Sequence, residues 1–159
     1  MKEINLTTKI TVYTIEECNE TEKKLIEAAK KATQHAYVPY SKFSVGAAVL
    51  LENGEIISGN NQENAAYPSG LCAERTTVFF VNANYPDQKI LTIAIAAFYK
   101  GKFTKEVITP CGACRQVLLE AENRFDMPMK ILMYSEEGIY CVESVKDILP
   151  LSFGDSMLR

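Results

Sequence analysis

The chain has 159 residues, 47% of them hydrophobic and 23% charged, enough apolar material for one soluble domain with a real core. A net charge of −3 gives no electrostatic reason to expect a nucleic-acid partner, so a small molecule fits better. With neither an amino-terminal apolar signal nor a run of about 18 apolar residues, secretion and membrane spanning are not expected, and the cytoplasm is the expected location.

Residues 1–19 form an amino-terminal extension of open role, in which Lys9–Thr14 is a β-branched and aromatic run suited to a short strand or to an arm on a neighbour. From Glu20 to His35 the apolar residues Leu25, Ile26, Ala28, Ala29 and Ala32 recur at helical spacing, with Asn19 as the cap. His35, the only histidine, ends that helix and has no ligand partner nearby in the sequence. Phe43–Leu51 and Glu55–Gly59 read as antiparallel strands about an Asn53-Gly54 turn. Then follow a buried helix over Cys72–Asn82, a strand over Ile90–Phe98, a helix over Cys111–Asn123, and strands over Met129–Tyr134 and Gly138–Val142. That order predicts one α/β domain over 1–159, a three-layer α/β/α sandwich around a mixed sheet of about five strands.

Two short stretches carry the chemistry. Cys72-Ala73-Glu74-Arg75 and Pro110-Cys111-Gly112-Ala113-Cys114 together offer three thiols, Cys72, Cys111 and Cys114, which can hold one tetrahedral zinc and leave its fourth position open to water. Five cysteines, an odd number with two of them in Cys-x-x-Cys, suit a metal site in a reducing compartment better than a disulfide framework. Glu74, two residues after the first thiol, is a carboxylate beside the metal that is not needed as a ligand, which suits a general acid/base. Three thiolates on a divalent cation leave about −1, and Arg75, one helical turn from Cys72, is placed to offset that charge. The positive ends of two helices would add to it if Cys72 and Cys111 open them. A closed structural zinc site needs a fourth protein ligand, which Cys18 or Cys141 would have to supply. A redox Cys-x-x-Cys is a further reading, but it accounts for neither Glu74 nor Pro110.

A first ligand, one residue, Glu, then Pro-Cys-x-x-Cys is the signature of the zinc deaminases. The chain resembles the small, three-cysteine, homotetrameric cytidine deaminases over roughly residues 22–153. Pro39–Ala48 and Gly59–Pro68 are similar to that family's substrate-binding segments. The resemblance implies hydrolytic deamination of cytidine and 2′-deoxycytidine, one zinc per chain and a homotetramer. It further implies nucleoside contacts from Phe43, whose ring offers a stacking face, from Asn61 and Glu63 to the ribose 3′ hydroxyl, and from Ala65. Tyr67 and Phe153 resemble positions that complete a neighbouring subunit's site. Asn60, Gln62 and Ala66 depart from the family's usual residues beside the ribose segment, so the sugar preference stays open. A deaminase of a nucleoside antibiotic such as blasticidin S shares the zinc motif.

Overall fold

The computed structural model describes residues 1–154 and 157–158. In chain order its elements are β1 (Thr11–Tyr13), α1 (Glu20–Ala32), β2 (Ser44–Leu51), β3 (Ile56–Asn60), α2 (Ala73–Asn84), β4 (Ile90–Tyr99), β5 (Lys102–Phe103), α3 (Gly112–Arg124), β6 (Lys130–Ser135) and β7 (Gly138–Val142). The α/β/α order predicted from the sequence is present. The sheet has seven strands, in the order β1-β7-β6-β4-β2-β3, with β5 paired to the end of β4. It is mixed because β4 and β6 run parallel while their neighbours run antiparallel. The two strands beyond the expected five are short. β1 extends the edge beside β7, with Thr11 opposite Cys141, and β5 folds back on β4 through Lys100 and Gly101, both at positive φ.

Strand alternation sorts the sheet's side chains into two cores. On one face Ala48, Ala94, Ala96, Leu132, Ile139 and Cys141 pack against Leu25, Ile26 and Ala29 of α1. On the other, Ala47, Val49, Ile93, Ile95, Ile131 and Met133 pack against Val78 and Val81 of α2 and Leu118 and Leu119 of α3. No helix among the described residues is long and apolar enough to cross a membrane.

α1 starts on a capping box: Asn19 Oδ1 accepts from the Glu22 amide at 2.9 Å and Glu22 Oε2 from the Asn19 amide at 3.0 Å. The α-helix ends at Ala32 and a 3-10 turn, Thr33–His35, completes the predicted span. Two glycines set how closely the helices approach the sheet. A Cβ on Gly46 would stand 2.0 Å from the Ala29 carbonyl oxygen of α1, and one on Gly59 would stand 2.6 Å from Thr77 Oγ1 of α2. Without side chains there, α1 and α2 lie almost on the backbone of β2 and β3, which brings the start of α2 beside the end of β3.

The far end of α3 is fixed by a buried carboxylate. Glu122, 2% exposed, accepts from the amides of Met129 and Val145 at 2.9 and 2.8 Å and from Ser144 Oγ at 2.8 Å. One side chain thereby ties α3, the start of β6 and the turn after β7 together.

Candidate active site

Cys72 and Cys111 occupy the N-cap positions of α2 and α3, and neither thiol is spent on capping. Cys114, fully buried, lies in the first turn of α3, so the cluster forms where two helix N-termini meet. The Cys72 and Cys111 sulfurs are 3.9 Å apart and those of Cys111 and Cys114 3.4 Å apart, all three lying within 4.8 Å of one another. Ligands about 2.3 Å from a tetrahedral zinc stand about 3.8 Å from each other, so this donor set fits one zinc with one position left open. It is the one such cluster among the described residues. His35 is exposed after α1, whereas Cys18 and Cys141 are buried in the core on the α1 face of the sheet, away from the thiol cluster. The fourth thiol that a closed structural site requires is therefore not at hand.

The surroundings are electropositive where the thiols need it. The Arg75 guanidinium donates to Cys72 Sγ at 3.7 Å, and its buried Nε has no partner among the described residues. Without metal, the Cys72 thiol is pulled down to about 5, first by the hydrogen bond from Cys114, against the opposing effect of burial, and then by Arg75. Cys114 is raised in turn, by its hydrogen bond to Cys72 and by burial, so the proton stays on the deeper sulfur. A divalent cation bound here would displace the proton that Cys114 keeps.

Glu74, in the first turn of α2, is 5% exposed. Burial pushes its carboxyl above the usual carboxylate range, only partly opposed by its own backbone amide, Cys114 and Arg75. A buried carboxyl that holds its proton more tightly than usual, beside three thiols able to hold a metal, is equipped to take and return a proton.

At Cys72 the cluster borders a cleft of about 590 Å³ whose wall includes Tyr40, Ser41, Asn61, Glu63, Tyr67, Leu71, Cys72 and Arg75, while Glu74, Cys111 and Cys114 are not on that wall. Of the residues predicted to touch substrate, Asn61, Glu63 and Tyr67 line it. Asn61 also holds the start of β2: Oδ1 accepts from the Val45 amide at 2.8 Å and Nδ2 donates to the Phe43 carbonyl at 2.9 Å. Each of those atoms keeps a second hydrogen-bonding position for a ligand. Glu63 Oε2 accepts from the amides of Tyr40 and Ser41 at 2.9 and 3.3 Å, and the Ser41 hydroxyl, ahead of those amides, holds its carboxyl below the usual range. Tyr67 packs edge-on to Tyr40, centroids 5.9 Å apart. Phe43, Ala65 and Phe153 are not on the cleft wall of this single chain. Phe43 leans on Tyr99 at 5.6 Å, Ala65 is exposed, and the Phe153 carbonyl is held by Gln116 Nε2 at 2.9 Å.

Two supporting residues carry no signal of their own in the sequence: Ser41, whose hydroxyl supports Glu63, and Arg115, one residue beyond Cys114, which bonds Pro110 and Thr109 of the cysteine loop and the Ile148 carbonyl. Charged and hydroxyl residues at exposed-looking positions carry no spacing signal that separates them from a solvated surface.

The model of the cytidine and deoxycytidylate deaminase zinc-binding region matches residues 19–126. A cytidine deaminase of Sporosarcina psychrophila is 42% identical over 130 residues, covering 82% of this chain and 89% of that protein. One from Halalkalibacterium halodurans is 40% identical over 129 residues, 81% of this chain and 91% of that protein. The crystal structure of cytidine deaminase from Burkholderia pseudomallei superposes with a TM-score of 0.69 at 38% identity, covering 82% of this chain and 97% of that one. That from Mycobacterium tuberculosis gives 0.66 at 34% identity, over 84% and 97%. Likeness that runs through both cysteine motifs and through the fold that brings them together places this chain in the cytidine and deoxycytidylate deaminase family.

Proposed function

We propose that the protein is a hydrolytic deaminase that converts cytidine and 2′-deoxycytidine to uridine and 2′-deoxyuridine with release of ammonia. The observation that carries this reading is the three-thiol cluster with the buried Glu74 beside it, on the border of a cleft of nucleoside size. One zinc, held by Cys72, Cys111 and Cys114, supplies the Lewis acidity that makes water a nucleophile near neutral pH. The proton chemistry falls to Glu74. Its carboxylate takes a proton from the attacking water as the C4–O bond forms and delivers it to N3 of the ring. A second proton then passes by the same carboxyl to the 4-amino group, the C4–N bond breaks, and ammonia leaves. Glu63 and Asn61 are assigned to the ribose, each already oriented by a second hydrogen bond. The 3′ hydroxyl is common to cytidine and deoxycytidine, so both are taken as substrates.

Arg75 is assigned to offset the charge of three thiolates, and this reading is supported by its 3.7 Å contact with Cys72 Sγ. Replacing Arg75 with Gln is expected to leave fold and zinc in place and to lower turnover by about 10–100-fold, the usual effect of removing a partner of a metal ligand. Steady-state rates at measured zinc content check it; an unchanged rate would assign the compensation to the two helix N-termini alone.

The chain is taken as one domain over 1–159 that works in the cytoplasm as a homotetramer. Tyr67, 76% exposed, and Phe153, 56% exposed, support the assembly, since large aromatic side chains left so open suit contact with a neighbouring subunit. Following the ultraviolet spectra of cytidine, deoxycytidine, cytosine, adenosine and blasticidin S tests the substrate, with light scattering on the same sample. Turnover of the two cytosine nucleosides by a tetramer is expected. Turnover of blasticidin S alone would replace the substrate assignment, and a fully active monomer would reject the assembly.

A further inference from the structure

Arg115 follows Cys114 directly, and its guanidinium is turned back around the loop that enters α3. Nε donates to the Pro110 carbonyl at 2.8 Å and Nη2 to Thr109 Oγ1 at 3.3 Å. Nη1 donates to the Ile148 carbonyl at 2.8 Å, 33 residues further on. Pro110 is buried and precedes the N-cap Cys111, so its carbonyl lies outside the ladder of α3 and needs a partner from elsewhere. Ile148 ends the 3-10 turn Val145–Ile148, from which the chain runs through Leu151, at φ 53°, to Phe153. Gln116, the next residue of α3, holds the far end of that run through the Phe153 carbonyl.

A cation in the first turn of a helix opposes the helix dipole, so helix stability alone gives no reason for an arginine here. A rigid planar fork does give one, because its three bonds here leave from three different nitrogens at fixed angles, whereas an ammonium has all its donors on one atom. We infer that Arg115 is a positioning residue, which holds the Pro110–Cys111 loop and the Ile148–Phe153 segment in one fixed relation. Retention of zinc at Cys111 and placement of Phe153 then depend on the same side chain. The inference rests on the zinc-deaminase reading above.

The test uses the full chain with zinc bound, comparing the parent with Arg115→Gln, Arg115→Lys and Glu122→Gln. Glu122 anchors the other end of α3 and the start of the Val145–Ile148 turn but touches no part of the cysteine loop, so its variant is the control for the effect of lost stability on zinc transfer. Zinc transfer to a colorimetric chelator, the thermal midpoint, and KM and kcat for cytidine are measured on each. Arg115→Gln is expected to release zinc about 10–100-fold faster, as when a partner of a metal ligand is lost, and to raise KM more than it lowers kcat. Arg115→Lys should fall between it and the parent. Glu122→Gln should lower the midpoint and leave zinc transfer at the parent rate. Zinc transfer from Arg115→Gln at the parent rate overturns the inference, as does equal acceleration in Glu122→Gln at a matched midpoint. Should Arg115→Gln fail to fold, parent-like transfer from Arg115→Lys overturns it instead. A parent protein that holds no zinc overturns the deaminase reading itself, which separates the two failures.

Discussion

Replacing Glu74 with Gln is expected to lower cytidine turnover by at least about 10²–10⁴-fold, the contribution of one general acid/base, while zinc content and nucleoside binding hold. The substitution keeps the size and planarity of the side chain, so the packing around a residue that is 5% exposed changes little. What it removes is the carboxyl that must first accept and then donate a proton at two positions on one side of the ring. The loss should exceed that of an ordinary one-step acid or base, because the same group serves both halves of the reaction. Neither a structural zinc site nor a redox dithiol gives Glu74 a chemical task, so both predict that the variant works as well as the parent. The measurement is kcat on protein of verified zinc occupancy, with nucleoside affinity measured separately by titration. A rate within a few-fold of the parent ends the deaminase assignment.

Much of this site is legible in the sequence because it is assembled from local spacing. Cys111 and Cys114 are three residues apart across the start of one helix, which by itself brings their sulfurs to 3.4 Å. Cys72 and Glu74 are likewise fixed relative to each other by the opening of α2, one as N-cap and one in the first turn. The joining of the two motifs is a long-range event, and it is the specificity of the paired pattern that reveals it. The fold is legible for a related reason. β2, β4 and β6 are apolar runs bounded by turns, and α1 shows its buried stripe of Leu25, Ile26, Ala29 and Ala32 at helical spacing.

The parts that escape the sequence are those decided by partners far along the chain. Lys9–Thr14 is a run suited to a short strand, but nothing in it tells that only Thr11–Tyr13 pair, or that the partner is β7, about 130 residues later. β5 turns on Lys100 at φ 51° and Gly101 at φ 81°, and a lysine in the left-handed region lacks the Asn-Gly signature that betrays the turn at Asn53-Gly54. Glu122 reads as one more solvated charge on a helix. It is buried because the amides of Met129 and Val145 converge on it from segments that no local pattern connects to α3. Asn61 shows the same limit at the site itself. Alternation puts it on the same side as Glu63, but nothing in the sequence tells that its amide also bridges the backbone of Phe43 and Val45.

Replacing Cys114 with Ser should weaken zinc binding by roughly two powers of ten and nearly abolish turnover, whereas the same change at Cys18 or Cys141 should affect neither. Cys114 is the fully buried member of the cluster, within 4.8 Å of both other sulfurs, so no water molecule or alternative side chain readily takes its place. A serine hydroxyl in that position stays protonated near neutral pH and is a hard, weak donor where a soft thiolate is needed. If a structural zinc site contributes about 10–16 kcal/mol over four ligands, one thiolate is worth on the order of 3 kcal/mol, roughly two powers of ten in zinc affinity. Both affinities should fall with pH, the parent's more steeply because it gives up one more thiol proton on binding zinc, so the deficit narrows towards acid pH, and chelator titrations at several pH values would show it. Cys18 and Cys141 have the opposite character: burial raises both thiols above their ordinary range, and both pack in the apolar layer under α1. Their serine variants should lose some stability, from a hydroxyl placed in that layer, and keep one zinc per chain. Zinc affinity of the three purified variants, measured by competition with a chelator, decides the matter. Parent-like affinity in Cys114→Ser, or zinc lost from Cys18→Ser or Cys141→Ser at native fold, would show that the metal is held by a different set of thiols.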